Sequence, residues 1–282
     1  MTKLTPMIDP LVNVANAWMA KSSITRRAKA EVFKAGDDFE RDLSAAELVE
    51  RMDRAGIAKA IIGVDPEQPL PWVLEFAASH PDRFAFAAEP RLKHGLEAVW
   101  AVEDLCRDHP VVAVRVAPMF VGAPVTDAAY VPTIVKCIEL DVPLCLTTGI
   151  PGPPGLPADL QHPMALDPVL LAYPQLKVVM LHGADPWWAE AIRLLRRHRN
   201  LWMCTSAWPP SRLPEILVAY LRGAGARKIL SGSDHPVVTI ERCAEEARAL
   251  GLPPEAERRY LHDNAMDLFF GERHSRHVVH AG

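Results

Sequence analysis

Apolar positions along the chain fall into short, nearly unbroken runs, separated by segments in which they recur every three or four residues. The runs are Met7–Val14, Ala58–Val64, Arg83–Ala88, Val111–Pro118, Val142–Thr148, Lys177–Gly183, Leu201–Ser206 and Lys228–Ser233. A strand with one wet face alternates, whereas a strand covered on both faces does not, so these runs predict buried parallel strands. Leu96–Arg107, Ala129–Leu140, Trp187–His198 and Leu213–Arg222 carry the spacing of amphipathic helices. Ser44-Ala-Ala-Glu47 is a capping box opening a further helix that ends at Gly56. Eight strands, each followed by helical pattern, predict an α/β fold, a single (β/α)₈ TIM barrel over residues 1–282. No Gly-x-Gly-x-x-Gly follows the first strand, which argues against a dinucleotide-binding sheet.

Two connections are long. Residues Ala15–Leu43 follow the first strand and Ile150–Asp167 the fifth, so in a barrel both belong to the active face. The first is expected to be a lid that brings Trp18 onto a ligand. The second, stiffened by proline, is expected to form a fixed wall.

Side chains at the C-terminal ends of barrel strands point into the mouth. His182 ends the sixth run and Asp234 the eighth, and these are the candidate catalytic residues. Arg115 interrupts the fourth. Turned inward it would bind a substrate carboxylate bidentately; turned outward it would pair with a helix acid, and the register leaves both open. Asn13, Thr147, Thr148 and Ser206 lie at other strand ends and are candidates to hydrogen-bond a ligand. Trp18, Trp187, Trp188 and Trp208 could build an aromatic wall, although Trp188 on its helix reads as core. His235, next to Asp234, should point elsewhere.

Composition narrows the partners. The formal net charge is −4, with 49% hydrophobic and 23% charged residues, which argues against nucleic acid or an anionic membrane and for a small-molecule substrate. Homo-oligomerisation is left open. Five cysteines, none in a CxxC pair, suit a reducing cytoplasm. The N-terminus lacks the pattern of a signal peptide, and no run reaches the roughly 18 apolar residues of a membrane span. The tail ERHSRHVVHAG reads as a polar end rather than a metal site.

From residue 177 onward the chain resembles the amidohydrolase-related family (amidohydrolase 2), which includes aminocarboxymuconate-semialdehyde and γ-resorcylate decarboxylases and pyrone-dicarboxylate lactonase. The resemblance rests on His182-Gly183, Trp187-Trp188, Asn200-Leu201, Gly232-Ser233-Asp234-His235-Pro236, and Asn264-Ala265 with Leu268-Phe269. Ile8-Asp9 and Val142–Gly149 fall in register with it. It implies a barrel of hydrolases and lyases acting on small carboxylates, lactones or amides. The chain departs from the family at its metal ligands: Leu11 and Asn13 stand where members carry histidines or an acid after Ile-Asp, and Thr147 where the fifth strand ends in histidine.

His182 and Asp234 alone fall short of the three or more protein ligands of catalytic zinc. The expectation is therefore no metal and no cofactor. The lactonase branch then implies Asp234 as the base that takes a proton from water, with His182 polarising the carbonyl. The leading expectation is a metal-independent hydrolase of a small lactone, ester or amide. The alternatives are a decarboxylase or other lyase with His182 as proton donor, and a barrel that only binds a ligand.

Overall fold

In a computed structural model, residues 4–272 are described; His274, His277 and His280 of the tail lie outside them. Eight parallel strands pair in sequence order: β1 (Met7–Val12), β2 (Ile57–Val64), β3 (Phe84–Ala88), β4 (Val111–Val116), β5 (Leu144–Thr147), β6 (Val178–Leu181), β7 (Leu201–Cys204) and β8 (Ile229–Leu230). Each predicted run holds one strand. All but β2 and β3 end short of their runs at the mouth, because the last residues of each run turn into the loops there.

The segment after β8 meets the mouth end of β1. Val12 and His235 form a parallel bridge, and the Asn13 amide N–H donates to the His235 carbonyl at 2.9 Å. Deeper in, Asp9 accepts from the Leu11 N–H and from both the backbone N–H and the hydroxyl of Ser233, the last at 2.5 Å. Asp9 is fully buried, and burial pushes its carboxyl up to about 6, with the Ser233 bonds opposing. It pins the loop that carries Asp234.

Helices surround the ring, and two apolar layers result. The larger lies between sheet and helices. The smaller fills the barrel with alternating small and large side chains, including Ala85, Ala87, Ala113, Val179 and Leu230, joined by Ala265, Leu268 and Phe269 of the last helix. Cys145 and Cys204 sit in this interior, where burial raises both thiols, so neither supplies a thiolate.

The helix Ala45–Ala55 begins as expected: the Ser44 hydroxyl accepts the Glu47 N–H, and Gly56 closes it in the left-handed region. The reciprocal arm of the capping box is not formed, because Glu47 pairs with Arg41. Helices at Pro71–Ser79, Leu166–Ala172 and Ile240–Arg248 complete the ring. Among the described residues no helix is long and apolar enough to cross a membrane.

Candidate active site

At the mouth, inward positions of neighbouring strands converge. Arg115 on β4 faces inward, which decides the question its sequence left open. Its guanidinium pairs with Glu89, the residue after β3, and Nη2 also donates to Asn13 Oδ1 at 2.8 Å. Asn13 Nδ2 in turn donates to Asp234 Oδ1 at 3.1 Å and to the His235 carbonyl at 2.9 Å. A chain of polar contacts thus runs Glu89–Arg115–Asn13–Asp234 across the floor. Gly63 on β2 makes room for it: a Cβ there would come within 2.1 Å of Arg115 Nη2 and 2.6 Å of Glu89 Oε1.

Asp234 and His182 face each other, with Oδ2 3.9 Å from Nδ1. Both have positive φ, 55° and 64°. Aspartate and histidine tolerate that region better than most residues, yet two such backbones side by side cost energy and are typical of functional sites. Ser206 Oγ accepts the His182 backbone N–H at 3.2 Å and lies 3.1 Å from Nδ1. The hydroxyl can therefore donate to Nδ1, an assignment that leaves the ring proton on Nε2.

Burial sets the protonation of the pair. It drives the Asp234 carboxyl up to about 7, against the opposing pull of Arg115 and the Asn13 hydrogen bond. It drives His182 down to about 4, and Arg115 adds to that. Near neutral pH the imidazole is uncharged and the carboxyl is poised between acid and base. At that pH a neutral imidazole is a poorer proton donor than a half-protonated carboxyl.

The mouth holds two chambers that meet at Asp234, His182 and Phe33. The first, about 460 Å³, lies over Arg115 and Asn13, with an apolar wall that includes Trp18, Phe39, Leu92 and Phe120. The second, about 890 Å³, is bounded by Thr148, Gln161, the proline loop from Ile150 and Trp208. The segment Ala15–Leu43 lines part of both chambers. It does so as short helical turns rather than open loop, and Phe33 on it reaches Gly152, where a Cβ would stand 2.5 Å from the ring.

The other candidates separate. Thr147 faces the first chamber and its hydroxyl binds Gln161. The Thr148 hydroxyl is taken up by backbone, donating to the Gly183 carbonyl at 2.5 Å, although the residue borders the second chamber. Trp18 stands on the rim, 55% exposed. Trp187 lines neither chamber; its ring lies 4.3 Å from that of His162. Ser206 is buried and holds His182 rather than a ligand. Trp188 is core, packed on Gly183. His235 turns away from the mouth toward Arg51, Asp38 and Glu241. Glu89 and Gln161 were missed. Glu89 was findable as an acid directly after an apolar run, whereas Gln161 sits in a loop whose path sequence does not give.

The donor set does not fit a catalytic divalent metal. Among the described residues no three His, Cys, Asp or Glu side chains converge to hold an ion. The amide oxygen of Asn13, the nearest substitute ligand, is engaged by Arg115, whose own charge would repel a cation.

Comparison with known proteins agrees with this architecture. No curated protein sequence matches the chain. An uncharacterized TIM-barrel protein, Bb4693 from Bordetella bronchiseptica, superposes with a TM-score of 0.78 at 22% identity, covering 94% of this chain and 99% of that one. The 2,6-dihydroxybenzoate decarboxylase from Rhizobium gives 0.70 at 17%, covering 95% and 99%. The 5-carboxyvanillate decarboxylase from Novosphingobium aromaticivorans, complexed with manganese and 4-hydroxy-3-methoxy-5-nitrobenzoic acid, gives 0.68 at 15%, covering 94% and 96%. The sequence model of the family described as Amidohydrolase matches residues 8–271, nearly the whole chain, and the protein belongs to that family.

Proposed function

We propose that this barrel is a lyase that decarboxylates a small aromatic or unsaturated carboxylic acid without a catalytic metal, using Asp234 as the acid that protonates carbon. The observation that carries the reading is Asp234 itself: a carboxyl mostly buried, 3.9 Å from the His182 ring and raised by that burial to about 7, which makes it an acid matched to neutral pH. Arg115, although it also pairs with Glu89, is the charged group that receives the substrate anion. The apolar wall of the first chamber accepts a planar ring and keeps water from it.

The step balances as follows. Asp234 gives its proton to the carbon bearing the carboxylate, the bond from that carbon to the carboxylate breaks, and carbon dioxide leaves. Its electron pair restores the unsaturated system. Asp234 is left ionised and recovers its proton from solvent. Arg115 and Asn13 stabilise the ionised form between turnovers. Two of the structurally similar proteins are named as decarboxylases, which supports the reading as precedent on this fold.

A second reading is hydrolysis of a lactone, ester or amide, because a carboxyl at about 7 is also half ionised there and able to take a proton from water. The two differ in sign with pH. An acid role makes the rate fall as pH rises through about 7; a base role makes it rise. The test uses enzyme dialysed against chelator and a panel beginning with 2,6-dihydroxybenzoate. Release of carbon dioxide with solvent deuterium at carbon is expected. Solvent ¹⁸O in a product acid would favour hydrolysis, and activity seen only after manganese is added would overturn the metal-free mechanism.

A further inference from the structure

We propose that the second chamber is a subsite for the far end of an elongated substrate, and that Arg212 and Lys34 receive an anionic group at that end. The inference deepens the reading of Arg115 as anchor for the reacting carboxylate and rests on it. Size is the first observation. Chambers of about 460 and 890 Å³ meet at Asp234 and His182, and a single cavity of about 300–1,000 Å³ already accommodates a drug-sized ligand. A one-ring acid bound at Arg115 would leave the larger chamber unused.

Shape is the second. The second chamber is walled by Pro151, Pro153, Pro154, Trp208 and Pro209, rigid apolar surfaces that fit a flat ring or an extended chain and have few hydrogen-bonding groups for a sugar.

Charge is the third. Of the acids at this chamber, Glu31 pairs with Arg27 at 2.8 Å, Asp185 accepts from Trp188 Nε1 at 3.0 Å and keeps its charge, and Asp234 lies where the two chambers meet. Arg242 is neutralised by Glu246 at 2.6 Å. The side chains of Arg212 and Lys34, both lining the chamber and exposed, make no hydrogen bond or ion pair among the described residues. Two exposed cations with no carboxylate partner of their own, at the open end of an apolar channel, select an anion. Lys34 rides on the segment that also supplies Phe33, so a ligand reaching it would hold that segment down.

Calorimetric titration of the full chain tests this with benzoate, para-pentylbenzoate and the analogue of the latter whose terminal methyl is replaced by a carboxylate. The wild type should bind the dianion about tenfold more tightly than para-pentylbenzoate, the worth of one charge-assisted contact at a partly exposed site. The double variant Arg212→Gln, Lys34→Gln should lose that preference and bind benzoate unchanged. Equal affinity of the two tailed acids for the wild type, or a preference that survives in the double variant, would overturn the subsite. Arg115→Gln should weaken all three probes. If it weakens none while the tail preference holds, the subsite stands and the anchor reading falls.

Discussion

Replacing Asp234 by asparagine should make the protein more stable and nearly inactive, and the size of the gain follows from its surroundings. In the folded chain the carboxyl titrates at about 7 rather than 3.8, because burial disfavours the anion. The unfolded chain sheds that proton first, so stability is full below about 3.8 and is lost as pH rises toward 7. At about 1.36 kcal/mol per pH unit, the loss across that interval is about 4 kcal/mol. Asparagine keeps an oxygen to accept from Asn13 Nδ2 and has no charge to bury. Urea denaturation at about pH 8 should therefore show the variant more stable by up to about 4 kcal/mol, with the difference vanishing near pH 3. Turnover should fall by roughly 10²–10⁴, the usual worth of a positioned acid or base. A variant no more stable than wild type at high pH would refute the burial argument. Near-full turnover would refute the assignment of Asp234 and direct attention to Arg115 and Thr147.

Gly63→Ala should displace the Arg115–Glu89 pair and raise KM by about tenfold with little change in melting temperature, since the clash falls on side-chain ends; an unchanged KM would show that Arg115 does not hold substrate. Arg115→Gln removes the cation that holds the Asp234 carboxyl down, so the descending limb of the rate profile should move to higher pH, and a fixed limb would sink that coupling. Proteolysis within residues 15–43 should slow at saturating ligand, whereas equal cutting rates would argue against a lid.

The barrel was legible because its cause is local and repetitive. Eight doubly covered strands must be apolar throughout, and eight runs of that kind separated by helical spacing admit few other folds. His182 and Asp234 were legible for a related reason: a polar residue at the mouth end of such a run has only the mouth to face. Glu89 obeys the same rule at the end of Phe84–Ala88.

What sequence could not decide depends on distances between residues far apart in the chain. Arg115 could have faced either way until the ring fixed the register of β4, and only then did Gly63, Glu89 and Asn13 gather around it. Ser206 looked like a ligand group and proved to hold His182, because strand ends seven and six meet there. The protonation of the pair is likewise a tertiary property. The residue types permit acid, base or bystander, but the burial that lifts Asp234 toward 7 and lowers His182 toward 4 exists only once the strands, the segment 15–43 and the proline loop have gathered around them and displaced most of the water.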